Sequence, residues 1–115
     1  MPVKMYFNPS CSKCQNVLGI LRDNDIEPEI VEYLKEPPSE VELREILQLL
    51  GIAPRQLLCT GEPAYRELGL ADPALTHSEL IGAIVANPSL LQRPIVIADG
   101  KAVIGRPPEQ VLSIL

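Results

Sequence analysis

The sequence contains no apolar run of the roughly 18–20 residues that a membrane-spanning helix needs. Its first residues lead directly into a short strand pattern at Val3, unlike the apolar segment of a secretion signal. We therefore expect a cytosolic protein without a membrane partner. Cations are also scarce, because 10 Lys and Arg stand against 15 Asp and Glu, for a net charge of −5. A nucleic-acid surface needs clustered cations, so nucleic acid is excluded as a partner.

Metal-binding side chains are also few, with three cysteines and one histidine in 115 residues. A zinc site built on Cys11 and Cys14 would need a second pair of ligands, but Cys59 and His77 lack ligand spacing. We therefore expect no metal. Few cysteines in a reducing compartment favour free thiols over a disulfide framework. The Cys-x-x-Cys pair then has either a structural role or, as the pattern favours, a redox or nucleophilic one.

The most informative stretch is residues 8–15, Asn-Pro-Ser-Cys-Ser-Lys-Cys-Gln, which separates an apolar run from a helical apolar pattern. This order predicts a strand, a tight loop and a helix. Ser12 and Gln15 have the spacing of a capping box, so we expect the helix to begin at Ser12 and Cys11 to lie just outside its first turn. The unpaired N–H groups of a helix start can hold an anion, either the Cys11 thiolate or an approaching oxyanion.

The thiolate form of Cys11 would be the nucleophile, whereas a free thiol titrates near ~8.5. A helix end usually supplies only about 0.3–1 kcal/mol, which is too little to ionise the thiol at neutral pH. A cation is therefore expected to contribute, and Lys13 and distant arginines are the candidates. Pro9 shapes the loop, while Asn8 and Ser10 can donate hydrogen bonds into it.

Strand and helix patterns continue through the middle of the chain. Partial alternation over residues 29–34 predicts a second strand, parallel to the first through a right-handed crossover. A helical insertion over about residues 38–91 follows. Within this insertion, capping-box patterns predict that one helix begins at Ser39 and another at Thr76.

The sequence pattern of the C-terminal part predicts a β-hairpin followed by a helix. A β-branched strand pattern follows Pro94, Asp99-Gly100 has the pattern of a two-residue hairpin turn, and residues 101–104 form the returning strand. A last helix is expected over residues 109–115. The sequence thus predicts one α/β domain with a thioredoxin/glutaredoxin-like fold, in which a mixed four-stranded sheet has a helical insertion between its βαβ and ββα units. In such folds the strand-opening proline is cis, so we expect a cis Arg93–Pro94 bond.

Several motifs distributed over the chain point to a known family. They are Asn8-Pro9-Ser10-Cys11, Tyr65, Glu67-Leu68-Gly69-Leu70, Asn87-Pro88, Arg93-Pro94-Ile95-Val96 and Arg106-Pro107 through Leu112. Together they resemble the glutaredoxin-linked arsenate reductase (ArsC) family. The resemblance implies an oxidoreductase of arsenic detoxification that uses arsenate as substrate, holds no cofactor, and takes electrons from glutathione and glutaredoxin.

The resemblance also implies roles for individual residues. Cys11 matches the nucleophile that attacks arsenate, and Arg93 and Arg106 match two of the three arginines around it. Guanidinium groups offer forked donors to an oxyanion and favour the thiolate, although both arginines can also be read as surface cations. The remaining expected site residues are Ser10 and Ser12 for the oxyanion, and Asn8, Pro9 and Pro94 for the shape of the loop.

The sequence departs from the family at two positions. An ungapped alignment puts Cys59 where the third arginine is expected, which casts doubt on arsenate activity, and Arg55 is a candidate substitute. Cys14 is a thiol that many members lack. Two mechanisms follow: either Cys11 acts alone and glutathione resolves its adduct, or Cys14 or Cys59 attacks the adduct and leaves a disulfide for thioredoxin or glutaredoxin.

Two other functions stay open on the same motifs. The redox-sensing regulator Spx shares the fold and an N-terminal Cys-x-x-Cys, and it binds the α subunit of RNA polymerase. The pattern at Arg106-Pro107 favours the reductase. The second alternative is a general thiol-disulfide oxidoreductase. No exposed apolar stripe is evident in the sequence, so we expect a monomer.

Overall fold

The predicted first strand is present as β1, Val3–Phe7, in the computed structural model of the chain, which describes residues 3–105 and 107–115. The chain divides into two compact units. The first comprises residues 3–36, 93–105 and 107–115, and the second comprises Pro37–Gln92. None of the helices among the described residues is long and apolar enough to cross a bilayer. The expectation of one domain stays a prediction.

The first unit is an α/β structure around a mixed four-stranded sheet. After β1 come α1 (Ser12–Asp23), β2 (Glu29–Glu32), β3 (Ile95–Ala98), β4 (Lys101–Ile104) and a 3₁₀ helix (Pro108–Ile114). The sheet order is β2-β1-β3-β4. β1 and β2 are parallel, whereas β3 is antiparallel to both β1 and β4. The predicted parallel crossover and mixed sheet are confirmed.

The alternation of β1 builds the core of the first unit. Val3, Met5 and Phe7 are buried in one cluster with apolar residues of α1, β3 and the 3₁₀ helix. Burying a side chain of this size stabilises the fold by about 1.5–3 kcal/mol. The other buried members are Cys14, Val17, Leu18, Leu21, Val96, Ala98 and Val111.

The hairpin between β3 and β4 has the predicted two-residue turn. Asp99 and Gly100 have φ angles of 51° and 74°, the two positive values that a type I′ turn requires.

The predicted last helix is present at Pro108–Ile114, but it is a 3₁₀ helix rather than an α-helix. Val111 is buried and Ile114 packs against the same core, so the apolar residues recur every three positions, which is the period of a 3₁₀ helix.

The second unit is helical and carries both predicted capping boxes. It contains α2 (Glu40–Leu50), α3 (Pro63–Glu67) and α4 (His77–Ala86), with 3₁₀ helices at Pro54–Leu57 and Pro88–Leu90. The Ser39 hydroxyl accepts from the Glu42 amide at 3.2 Å, and the Thr76 hydroxyl accepts from the Glu79 amide at 3.2 Å. Gly51 ends α2 with φ of 68°. α2 packs on α4 through buried leucines and isoleucines.

Candidate functional site

Cys11 lies at the start of α1, where the sequence predicted it. It is the residue before the first helical residue, Ser12, and its own amide donates to the Asn8 carbonyl at 3.0 Å. The Asn8 side-chain oxygen accepts from the Ser10 amide at 3.0 Å, which closes the loop. The Ser12–Gln15 capping box is wrong. Cys11 occupies the cap position and has no capping side-chain hydrogen bond, while the side-chain amide of Gln15 donates to the Pro9 carbonyl at 3.1 Å.

The half-buried Cys11 sulfur lies in a site that favours its thiolate. Burial alone would raise the pKa of Cys11, because it disfavours the charged form. Hydrogen bonds from the backbone and thiol of Cys14, the Arg93 side chain and the backbone of Lys13 outweigh burial and hold the pKa below its ordinary value. Lys13 thus contributes its amide, whereas the cation that assists Cys11 is Arg93.

Cys14 has the opposite environment. It has no exposed surface and belongs to the core cluster. Burial, with a smaller contribution from the adjacent Cys11, raises the pKa of Cys14 to about 12, although the Asn8 backbone acts against this shift. The two thiols therefore differ, because the half-buried Cys11 loses its proton more readily than Cys14, whose buried thiol donates a hydrogen bond to the Cys11 sulfur.

Arg93 reaches the cysteine loop from the entry of β3. The expected cis bond between Arg93 and Pro94 is present. The Pro94 carbonyl accepts from the Gly105 amide at 2.8 Å, which ties this entry to the end of β4. A Cβ atom at Gly105 would lie 2.7 Å from Val17 of α1 and 2.9 Å from the Pro94 ring, so only glycine fits between them.

Three of the other predicted site residues are exposed around Cys11, and one lies outside the described residues. Ser10 and Ser12 are exposed beside Cys11, and Pro9 is exposed in the loop. Their roles in oxyanion binding and loop shape stay predictions. Arg106 lies outside the described residues, so its predicted contact with the oxyanion is a prediction as well.

Three predicted or considered residues belong to the second unit. Cys59 is half-buried, and its amide donates to the Leu90 carbonyl at 2.6 Å. Arg55 donates to the carbonyls of Leu70 at 2.7 Å and Asp72 at 2.8 Å. These bonds give the Arg55 guanidinium a structural role within its own unit. His77 is exposed in the first turn of α4.

Tyr33 is a residue near the thiols that the sequence analysis did not identify. It follows β2 directly, and Asn8 follows β1 at the same edge, because the last residues of the two strands, Phe7 and Glu32, are paired. Its hydroxyl is buried without a hydrogen-bond partner among the described residues. The predicted parallel pairing of residues 3–7 with 29–32 was the one sequence signal that could have placed Tyr33 near Cys11. Parallel strands end at the same edge of the sheet, so the residues that follow them lie close together.

Residues 3–105 and 107–115 contain no group of three or more His, Cys, Asp or Glu side chains suited to a metal ion. The groups that the structure brings together at Cys11 are two thiols, a guanidinium and the amides of a helix start. That set can bind an anion, carry out nucleophilic attack and form a disulfide.

Known proteins share much of this sequence. The ArsC family model matches residues 6–114. Uncharacterized protein YfgD of Escherichia coli K12 is 51% identical over 114 residues, covering 98% of this chain and 96% of that protein. An arsenate reductase of Neisseria meningitidis serogroup A is 42% identical over 114 residues, covering 98% of this chain and 97% of that protein.

A solved structure extends the similarity to the fold. The arsenate reductase from Vibrio cholerae matches with a TM-score of 0.97 and 42% identity, and the match covers 100% of this chain and 98% of that chain. This match and the mixed four-stranded sheet confirm the predicted thioredoxin-like fold. The chain belongs to the ArsC family.

Proposed function

We propose that this protein is an arsenate reductase in which the Cys11 thiolate attacks arsenate. The observation that carries the proposal is the environment of Cys11, a half-buried sulfur that accepts hydrogen bonds from Arg93 and from the start of α1. Relatives named arsenate reductases, at 42% identity over nearly their whole length, support the same substrate. The substrate is an oxyanion, which a guanidinium and helix amides bind well.

The first step joins sulfur to arsenic. The Cys11 thiolate attacks the arsenic of arsenate, an As–S bond forms, and one arsenate oxygen leaves as water after protonation. Arsenic stays pentavalent in this adduct. Arg93 neutralises charge on the oxyanion, and Arg106 is proposed to act beside it on the basis of its family motif. The exposed Ser10 and Ser12 beside Cys11 are proposed to donate hydrogen bonds to the arsenate oxygens.

The second step reduces arsenic. In one route Cys14 attacks the Cys11 sulfur, the As–S bond breaks with its electron pair left on arsenic, and arsenite departs. Two thiols are then oxidised to one disulfide, which balances the two electrons that arsenic gains. The hydrogen bond between the thiols supports this route, because the attacking sulfur already lies beside its target. In the other route the glutathione thiolate attacks the Cys11 sulfur, arsenite departs with the electron pair of the As–S bond, and glutaredoxin reduces the mixed disulfide that remains on Cys11.

The external reductant must reach the protein through Cys11. Cys14 has no exposed surface, so glutaredoxin or thioredoxin can attack only the Cys11 sulfur of an intramolecular disulfide. Cys59 is a further candidate for resolving the adduct, and it is tested by substitution. No bound cofactor is required, and the protein is proposed to act as a monomer in the cytoplasm.

The test is arsenate-dependent NADPH oxidation, coupled to glutathione and glutaredoxin in one assay and to thioredoxin in another. We expect activity with the wild type and none with Cys11→Ser. If Cys14 resolves the adduct, Cys14→Ser loses the thioredoxin-coupled activity, whereas Cys59→Ser, the matched control at the third cysteine, keeps it. Absence of arsenate-dependent oxidation in both assays would reject the proposal.

A second candidate function rests on the same pair of thiols. Cys11 and Cys14 differ in pKa and exposure as the attacking and buried cysteines of a thiol-disulfide oxidoreductase do. Such a protein would reduce a disulfide substrate without arsenate. An Spx-like regulator would instead be retained by the RNA polymerase α subunit in a pull-down, and the reductase proposal predicts no retention.

A further inference from the structure

Tyr33 lies at the same edge of the sheet as the cysteine loop. β1 and β2 are parallel, so their carboxyl ends meet at one edge, where Asn8 follows β1 and Tyr33 follows β2. The loop that begins at Asn8 carries Cys11 and leads into α1. A residue after β2 is thereby brought beside thiols that are about twenty positions earlier in the chain.

The Tyr33 hydroxyl is buried and has no hydrogen-bond partner in the described part of the chain. The whole residue has no exposed surface. Leaving a buried hydroxyl without a partner costs about 1–3 kcal/mol, so such groups are uncommon and call for an explanation. One explanation is that the partner forms only in another state of the site.

The groups around the hydroxyl all belong to the candidate site. Burial raises the pKa of Tyr33 to about 12, and Arg93, Cys14, Asn8 and Cys11 are close enough to shift it further in either direction. The Asn8 side chain approaches the hydroxyl as a donor would and lowers this pKa, but it does not reach full hydrogen-bond geometry and leaves the phenol proton without an acceptor. With this pKa the phenol keeps its proton at neutral pH and acts as a hydrogen-bond donor.

The choice of acceptor follows from the other contacts. A guanidinium has no acceptor, which excludes Arg93. The Asn8 side-chain oxygen faces the Ser10 amide, and Asn8 lowers the Tyr33 pKa as a donor does, while the Cys11 sulfur already accepts from several donors. The sulfur of Cys14 is buried like the hydroxyl and gains negative charge when it loses its proton. We propose that Tyr33 donates a hydrogen bond to Cys14 when Cys14 becomes a thiolate and attacks Cys11.

This role addresses a difficulty of the intramolecular route, on which the inference rests. Burial disfavours the Cys14 thiolate, and none of the described polar or charged residues is fully buried with it to supply a base. Together with the Asn8 backbone, the Tyr33 hydroxyl gives the charged sulfur two donors. In the attack the Cys14 proton passes to water, a sulfur–sulfur bond forms, and the group bound to Cys11 leaves with its bonding electrons.

The step can be measured without arsenate by using an aromatic disulfide, 5,5′-dithiobis(2-nitrobenzoate), as the probe. Cys11 attacks it and releases one coloured thiolate in a bimolecular phase. Cys14 then attacks the mixed disulfide and releases the second thiolate in a unimolecular phase. In a Cys59→Ser background, we expect Tyr33→Phe to leave the first phase unchanged and to slow the second about tenfold, the effect of one hydrogen bond to a charged group.

Tyr6→Phe is the matched control, because it removes a hydroxyl from another buried tyrosine of the same unit. It should alter neither phase. An unchanged second phase in Tyr33→Phe would overturn the inference, as would a wild type that never releases the second thiolate. A normal second phase in a wild type that does not reduce arsenate would instead reject only the proposed function.

Folding is tested separately. Tyr33→Phe removes a hydroxyl without a partner, so its free energy of unfolding should equal or exceed that of the wild type. If the variant does not fold, 3-fluorotyrosine at position 33, in a Tyr6→Phe and Tyr65→Phe background, keeps the shape and strengthens the donor. The second phase should then be faster, and an unchanged rate would overturn the inference.

Discussion

The thiol of Cys14 donates a hydrogen bond to the sulfur of Cys11, which lies three residues earlier at the start of α1. This bond is one of those that stabilise the Cys11 thiolate, and it leaves Cys14 positioned to attack the same sulfur. Cys14 therefore acts twice on Cys11. It first donates a hydrogen bond to the Cys11 sulfur and then, in the proposed intramolecular route, attacks that sulfur as a nucleophile.

Cys14→Ala should raise the pKa of Cys11, because it removes a donor to the thiolate without adding charge. The pH dependence of Cys11 alkylation by iodoacetamide, measured in a Cys59→Ser background, should move to higher pH, with severalfold slower alkylation at neutral pH. Cys14→Ser is the control, since its hydroxyl retains a donor. A profile in Cys14→Ala identical to that of the wild type would contradict the assigned hydrogen bond.

Arg93→Lys should lower kcat/KM for arsenate by about tenfold or more, because a lysine offers a point charge in place of a forked donor and loses a charge-assisted hydrogen bond of about 1.5–3 kcal/mol. The Cys11 pKa should also rise, since the Arg93 side chain lowers it. Arg66→Lys, at an exposed arginine in α3, should leave both quantities unchanged. Equal kcat/KM in Arg93→Lys and wild type would remove Arg93 from the anion site.

Gly105→Ala should destabilise the protein by about 1–3 kcal/mol, the usual cost of overpacking, because the added Cβ would meet both Val17 and the Pro94 ring. Since Pro94 follows Arg93, activity should fall as well. Gly19→Ala is the matched control in α1, where a Cβ meets nothing within 4 Å. It should stabilise the protein by up to about 1 kcal/mol. Urea unfolding measures both variants, and equal effects would refute the packing argument.

Stability should fall at alkaline pH through Cys14. Its pKa is raised in the folded state from 9.0 to about 12, so the folded form binds this proton more tightly than the unfolded form. The stabilisation is complete below the unfolded value of 9.0 and is lost as the pH rises towards 12. The free energy of unfolding of Cys14→Ala should decline less steeply over this range than that of the wild type. Parallel declines would contradict the assignment.

Local sequence patterns predicted the elements that local chemistry determines. The capping boxes at Ser39 and Thr76 and the turn at Asp99-Gly100 are formed by residues within four positions of one another, and all three are confirmed. The Gln15 prediction was wrong because its side-chain amide donates to the Pro9 carbonyl, whereas a capping box would need its side-chain oxygen to accept from the Ser12 amide. Residue spacing alone does not distinguish these two uses of a glutamine side chain.

Residues whose roles depend on distant parts of the chain were harder to predict. The burial of Tyr33 beside the cysteine loop depends on the register between β1 and β2. The guanidinium of Arg55 binds carbonyls 15 and 17 positions away, which no motif around it indicates. The Arg93 contact with Cys11 was expected only from the family resemblance. Local sequence patterns do not determine the order of the strands in the sheet, and that order brings Arg93 to the cysteine loop.

The most direct test of the account is the intact mass of the protein after one turnover with stoichiometric arsenate and no external reductant, together with the amount of arsenite released. The account predicts that the wild type loses two hydrogens, that peptide mapping locates a Cys11–Cys14 disulfide, and that one arsenite forms for each disulfide. Cys11→Ser should keep its mass and release no arsenite. A wild type that also keeps both thiols and releases no arsenite would contradict the intramolecular route through Cys14.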